Sequence, residues 1–272
     1  MNMIDFVFND KRLSDYGYIV VSITTSYEQN ASLGSNITFE TLKNNATFVN
    51  RIIKTDYNEP ISVTFDICKN PCVSSDKMNI DDTEISFMMR WLNTKGYKIF
   101  KPIYDDDSYP SIYFKGSFNV TAIRVGGDVV GLTLTFTANS PFGYDDEQTL
   151  KFNINNSYDT FTFYDNSDEY GYLYPDKFII TCKSKGDFIM TNNFDTSFVR
   201  INNCISGEII VLNCINKVIQ SNKTHSTLYN DFNYKYPRFV VNENTNQNVF
   251  AVSLPCEIQV VYSLVRKAGI II

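Results

Sequence analysis

A single histidine, His225, sits in Ser221-Asn-Lys-Thr-His-Ser-Thr227. Any Ser-His-Asp or Cys-His arrangement would have to draw its base from this one residue. The chain has no glycine-rich phosphate loop, no His-Glu-x-x-His and no Gly-x-Ser-x-Gly, the local motifs that mark phosphate transfer, zinc proteolysis and acyl transfer. His225 therefore reads as a solvated loop residue. Asp105-Asp106-Asp107 is dense enough in carboxylate to invite calcium, but an EF-hand loop needs alternating ligands and a glycine at its sixth position. Ser108-Tyr109-Pro110 supplies neither, and the segment reads as a polar loop that Pro110 ends.

The six cysteines include Cys68 and Cys72, whose spacing is wrong for a redox Cys-x-x-Cys, and no second pair follows at zinc-ribbon distance. A turn at Ser206-Gly207 would pair Ile205 with Glu208 and set Cys214 opposite Val199, leaving Cys204 and Cys214 out of register for a bridge. The cysteines are read as thiols that pack. Glycoside hydrolysis needs only two suitably spaced carboxylates, and nothing selects a pair among the 30 acidic residues. The Asn-x-Ser/Thr triplets at Asn30, Asn36, Asn45, Asn119 and Asn222 are what an Asn-, Ser- and Thr-rich chain produces by chance. The chain is expected to be no enzyme and to hold no cofactor or metal.

The elements that would position any such group are strands. Ile61 to Ile67 alternates apolar and polar residues without a fault, Leu132 to Thr137 does the same, and Phe118, Val120 and Ala122 share one face. Gly126-Gly127-Asp128 supplies the positive φ of a tight reversal, so residues 117–138 are expected to form one hairpin. Asn9-Asp10 is expected to turn the chain after Ile4 to Phe8. Only Thr83 to Thr94 has helical spacing, through Ile85, Met88, Met89 and Leu92, with Asp81 and Glu84 placed as a capping box and Gly96 beyond. Its Met88, Met89 and Trp91 read as a packed face.

The 272 residues favour two domains, with the break at Ser140-Pro141-Phe142-Gly143-Tyr144-Asp145-Asp146-Glu147. Pro141 denies a ladder donor there and Gly143 loosens the backbone. Beyond it come strands at Thr160 to Tyr164, Lys177 to Cys182, Ser197 to Asn202, Glu208 to Ile215, Arg238 to Val241, Val249 to Ser253 and Glu257 to Val265, the pattern of a β-sandwich. With 18 Tyr and 21 Phe the chain has ample material for cores. No apolar run exceeds Tyr18-Ile19-Val20-Val21 in length, far short of the ~20 residues that span a bilayer, so no membrane insertion is expected. The first residues, with Asp5 among them, read as a strand and not as a cleaved leader. A net charge of -6 argues against generic phosphate neutralisation and specific nucleic-acid binding.

The order of motifs adds to this. Phe6-Val7-Phe8-Asn9-Asp10 followed by Asp15-Tyr16-Gly17 resembles the opening of phage distal tail proteins, which begin with an F-x-F-N-G turn and then D-[FY]-G; here Asp10 replaces the glycine. The resemblance continues through the helix at 83–94, Asp107 to Gly116 and Ser140 to Tyr144. The second half resembles that family's galectin-like module through Tyr174-Pro175, Ser206 to Asn213, Tyr236-Pro237-Arg238-Phe239 and the closing Val261 to Arg266. The family's P-x-L-x-x-G-x-N segment stands here as Pro237 to Asn244 without its glycine.

What the resemblance implies is a mainly β protein: an N-terminal split β-barrel with one helix at 1–139, a linker at 140–147, and a galectin-like β-sandwich at 148–272. It implies a structural part of a virion tail tip, assembled in the bacterial host cytoplasm. Its homo-hexameric ring would join the tail tube protein to a tail-associated or receptor-binding tip protein, with DNA passing through. The signature residues Phe6, Phe8, Asn9, Asp15, Tyr16 and Gly17 fall in the expected ring region. Tyr170, Tyr172 and Tyr174 are the candidate surface for a partner or a glycan. The alternative is a carbohydrate-binding adhesin using the exposed tyrosines of the sandwich, Tyr158 and Tyr164 included. Phe161 and Phe163 are expected to face inward.

Overall fold

The computed structural model describes residues 2–23, 34, 36–44, 49–57, 59–73, 78–106, 109–223 and 228–271. His225, Asp107 and the triplet asparagines Asn30 and Asn45 lie outside them. The chain divides into two compact units, Met1–Tyr144 with Arg266–Ile272, and Asp145–Val265. The second domain expected at 148–272 therefore gives up residues 266–272: Ile270 is buried in the first unit's core, and the Ile271 amide donates to the Tyr104 hydroxyl.

The strands of the first unit are β1 (Met3–Phe8), β2 (Lys11–Arg12), β3 (Tyr18–Val21), β4 (Ile37–Asn44), β5 (Val49–Tyr57), β6 (Ser62–Lys69), β7 (Lys98–Tyr104), β8 (Ile112–Val125), β9 (Asp128–Ala138) and β10 (Gly143–Asp145). One antiparallel sheet runs β2-β1-β7-β8-β9-β6-β3. β2 and β3 end it, and among the described residues no sheet closes into a barrel. β4 and β5 pair only with each other.

The predicted turns form as read. Val125 pairs with Asp128 around Gly126 (φ 61) and Gly127 (φ 102), which closes the β8–β9 hairpin with Phe118 opposite Phe136. Asn9 (φ 49) and Asp10 (φ 62) form a two-residue reversal with Phe8 opposite Lys11, the doubly left-handed turn whose twist matches the strands it joins. Helix α1 (Asp82–Leu92) starts on the capping box: the Glu84 amide donates to Asp81 Oδ1 (2.8 Å) and the Asp81 amide to Glu84 Oε2 (2.9 Å). It buries Met88, Trp91 and Leu92, whereas Met89 is largely exposed. Of the expected packed face, Met88 and Trp91 are buried and Met89 is not. A shorter 3-10 turn at Ser14–Tyr16 and a second helix, α2 (Leu228–Asp231), escape the periodicity, being too short for a face to show.

Phe6, Phe65, Phe100, Phe118 and Phe136 fill the first core, with ring centroids as close as 4.5 Å for Phe100 and Phe136. Gly143, read as a loosening residue, has the opposite role. A Cβ there would stand 2.4 Å from Ile112 Cγ2, and one on Gly116 would stand 2.4 Å from the Thr137 carbonyl oxygen. Both glycines allow close packing.

The second unit adds β11 (Gln148–Ile154), β12 (Asp159–Tyr164), β13 (Gly171–Leu173), β14 (Lys177–Cys182), β15 (Gly186–Asn192), β16 (Phe198–Cys204), β17 (Ile209–Asn213), β18 (Val218–Ser221), β19 (Phe239–Val241), β20 (Gln247–Val252) and β21 (Cys256–Tyr262). They form a five-stranded sheet, β11-β21-β14-β17-β18, a four-stranded sheet, β12-β20-β15-β16, and the pair β13-β19. Phe178, Ile180, Ile210, Leu212 and Ile258 from the first sheet share one core with Phe161, Phe163, Phe188, Ile201 and Phe250 from the second. Phe161 and Phe163 face inward as expected.

The expected pairing of 197–202 with 208–215 does not form. The turn is present, since the Glu208 amide donates to the Ile205 carbonyl and Gly207 has φ 74. Its two arms enter different sheets, however: Val199 lies opposite Met190, and Ile210 opposite Ile180. The buried Glu208 carboxylate fixes this crossing by accepting from the Ile205 amide (2.9 Å) and the Ser221 hydroxyl (2.6 Å). Buried acceptors need such donors. The cysteines among the described residues are free thiols. Cys182, Cys204, Cys214 and Cys256 are buried, Cys68 is half-buried, and Cys72 is exposed, so it is not the packed thiol expected.

Candidate functional site

The opening motif supplies core, turn and surface rather than one cluster of reactive groups. Phe6 and Phe8 are fully buried. Phe6 stacks on Trp91 at 6.0 Å, and the indole Nε1 of Trp91 donates to the Phe8 carbonyl oxygen at 2.8 Å. Asp15 is exposed. Tyr16 is partly exposed and lies 5.2 Å from the Trp91 ring and 4.8 Å from Phe87. Gly17 (φ 76) ends the 3-10 turn by donating to the Ser14 carbonyl oxygen. D-[FY]-G thus reads physically as a surface acid, a ring covering the tryptophan and a left-handed stop, a conformation in which glycine is least strained.

Asp5, read only as a break in the apolar run, organises this corner. A register shift in β1 lets Asp5 and Phe6 both be buried. The Asp5 carboxylate accepts from the Phe6 amide, the Ser14 amide and Arg12 Nε (2.5 Å). That hydrogen bond from its guanidinium raises the pKa of Arg12.

The β4–β5 hairpin carries apolar side chains that the rest of the described chain does not cover. Ile37 lies opposite Tyr57 and Thr41 opposite Ile52, and directly opposed residues share a face. With Phe39 (56% exposed) and Ile52 (59%) on that side, it is an exposed apolar face. The other side pairs Glu40 with Lys54 and carries the Lys54–Asp56 ion pair, though Leu42 and Val49 are exposed on it as well.

In the second unit the tyrosines expected at the surface are there. Tyr158, Tyr164, Tyr170, Tyr172 and Tyr174 are all substantially exposed. Tyr172 and Tyr174 are brought to cations from distant loops: the Arg238 guanidinium carbon lies 3.8 Å above the Tyr172 ring, and Lys217 Nζ lies 3.4 Å above Tyr174 and 4.9 Å above Tyr236. Tyr170 does not join them. Beside them opens a cleft of ≈ 780 Å³ whose walls include Tyr174, Tyr234, Tyr236, Lys217, Arg238 and Asp195.

Arg238 donates from Nε (2.8 Å), and its Nη2 is 2.7 Å from the same Asp195 oxygen. Burial would raise the Asp195 carboxyl, but hydrogen bonds from Ser197 and Arg238 outweigh it and hold the carboxyl below its usual range. Burial would lower Arg238, and Asp195 more than compensates. Lys217 is lowered by burial. The sequence reading missed Lys217, Asp195 and Lys235; a local run of aromatics, Tyr234 and Tyr236 beside Pro237-Arg238, was the one signal within reach. Among the described residues no group of His, Cys, Asp and Glu is placed to hold a metal ion, and no helix is long and apolar enough to cross a membrane.

Residues 1–140 match the family described as phage tail protein N-terminal domain, and residues 142–262 the one described as phage tail C-terminal domain. No curated protein matches the chain in sequence. Among solved structures, the chain is similar to the SPP1 Dit protein, described as a paradigm of the hub adsorption apparatus in phages infecting Gram-positive bacteria. The TM-score is 0.63 at 10% identity, over 96% of this chain and 99% of that one. It is also similar to a chain of the phage p2 baseplate in its activated conformation with Sr, with a TM-score of 0.51 at 9% identity, over 98% and 99% of the two chains. At these identities the likeness speaks for the fold.

Proposed function

We propose that this chain, which belongs to the phage tail protein family, is a structural subunit of the tail tip that links the tail tube to the baseplate or adsorption apparatus. The first unit is read as the family's split barrel with one helix, and the second as its galectin-like sandwich. In this reading six copies form a ring, with the tube protein on one side and a tip protein on the other.

The observation that carries the assembly is the β4–β5 hairpin. A lone two-stranded hairpin is marginal in water, and this one exposes Ile37, Phe39 and Ile52 on one face. Apolar patches of that kind mark protein contacts. A neighbouring copy of the first unit is the partner that supplies the missing layer, in a closed symmetric assembly.

Imaging of purified tails tests this. A sixfold ring of this chain at the tail tip is expected, with the hairpin in the contact. Phe39→Asp combined with Ile52→Asp should leave the melting of the isolated chain unchanged and keep it out of assembled tails. A tip without sixfold symmetry, or normal incorporation of the double variant, would count against the ring.

A further inference from the structure

The cleft of the second unit is built in a way that scaffolding alone does not require. Three of the seven non-glycine residues with positive φ among the described residues line it: Thr196 (φ 56), Lys217 (φ 54) and Tyr234 (φ 57). A β-branched residue such as Thr196 is a genuine outlier there, and strain of this sort gathers where side chains are aimed at something. The volume falls within the range of small-ligand sites, roughly 300–1,000 Å³.

The charge on its walls has the sign opposite to that of the whole chain. Lys217, Lys235 and Arg238 face only Asp195 in a protein of net charge -6. Arg238 is spent on Asp195. The ammonium of Lys217 meets two tyrosine rings and no carboxylate among the described residues.

The side-chain amides of the cleft are largely committed to the fold, which leaves them little capacity to read a neutral hydroxyl pattern. Asn192 donates to the Arg238 carbonyl and to Asn248 Oδ1, and accepts from the Phe194 amide. Asn233 accepts from the Arg200 and Lys235 amides and donates to the Phe198 carbonyl. The same contacts consume the edge of β16: the Asn233 amide donates to the Arg200 carbonyl, and Ile201 bridges Phe232. A peptide would therefore find no free strand edge to extend. What remains for a ligand are ammonium donors, the hydroxyls of Thr196 and Tyr234, and exposed aromatic side chains, Tyr234 and Phe198.

We propose that this cleft binds an acidic saccharide, a sugar ring carrying carboxylate or phosphate, with Lys217 and Lys235 on the anionic group and Tyr234 or Phe198 against the ring. Aromatic faces suit the apolar side of a sugar, and a partly desolvated ammonium gains most from an incoming anion. The site lies wholly within the second unit and stands whether or not a ring forms.

Calorimetry and amide chemical-shift mapping on the full chain at low salt test it, with trigalacturonate and glucose 6-phosphate as probes and galactotriose and glucose as their neutral counterparts. At least one acidic probe should bind about tenfold or more tighter than its neutral counterpart, with shifts centred on residues 195–198 and 233–238. Which acidic probe binds decides between carboxylate and phosphate. Lys217→Met should weaken binding about tenfold and Tyr234→Ala should weaken it too, both with unchanged melting, whereas Lys185→Met, an exposed cation elsewhere in the unit, should leave it intact. Four outcomes overturn the proposal: no binding of either acidic probe, equal binding of neutral sugars, affinity indifferent to Lys217→Met, or occupation by a polyglutamate peptide alone.

Discussion

Trp91 and Phe8, 83 residues apart in the chain, are joined by a 2.8 Å hydrogen bond from the indole to a backbone carbonyl. It ties α1 to the first strand at the place where the β1–β2 turn begins. Trp91 is the chain's one tryptophan, so its fluorescence reports on the first unit. Trp91→Phe keeps most of the ring packing and should cost that unit about 1 kcal/mol. Trp91→Ala should cost about 3–5 kcal/mol. Urea unfolding followed by circular dichroism should show the loss in the first unit's transition alone.

Among the described glycines, Gly116 and Gly143 leave the least room for a Cβ. Gly116→Ala would drive a methyl toward the Thr137 carbonyl and the Phe136 ring, and should destabilise by about 1–3 kcal/mol or more. Gly143→Ala should behave likewise against Ile112. Gly96→Ala, where a Cβ meets nothing within 4 Å, should be close to neutral in the same melting experiment.

Asp10 holds φ 62 in the second position of its turn, a conformation that suits glycine better. Asp10→Gly should raise the urea midpoint, with a gain of about 0.5–1 kcal/mol. Asp10→Val should lower it, since a β-branched residue resists that region.

The Asp195–Arg238 pair makes the second unit sensitive to acid. The folded-state pKa of Asp195 is lowered, so its stabilisation is complete above the unfolded value, near pH ~3.9, and is lost as pH falls through the folded one. Melting of the second unit should drop below about pH 4, and Asp195→Asn should flatten that part of the profile while lowering stability at neutral pH.

The local devices were legible in the sequence because their physics is local. Asn9-Asp10, Gly126-Gly127 and the Asp81/Glu84 box each depend on residues within a few positions of one another, and each forms as read. The crossing at 205–208 was not. Whether two strands joined by a short turn pair or part depends on Met190 and Ile180, which lie outside the turn. The register of Cys214 against Val199 failed for that reason. The exposure of Phe39 and Ile52 was hidden because an apolar alternation does not say whether anything covers it. The cleft was hidden more deeply, since Tyr174, Asp195, Lys217 and Arg238 come from four separate loops and only folding assembles them.

The return of residues 266–272 to the first unit makes the second unit an insertion within the first. Ile270 is 2% exposed in a core whose other members lie between Met3 and Ala138. During synthesis, which runs from the N-terminus at roughly 5–20 residues per second, that core waits for its last side chain until the inserted unit has left the ribosome. The inserted unit can complete itself first, and the hairpin that would meet a neighbouring copy belongs to the unit finished last. Assembly through that hairpin is thereby biased toward chains in which Ile270 has already been made.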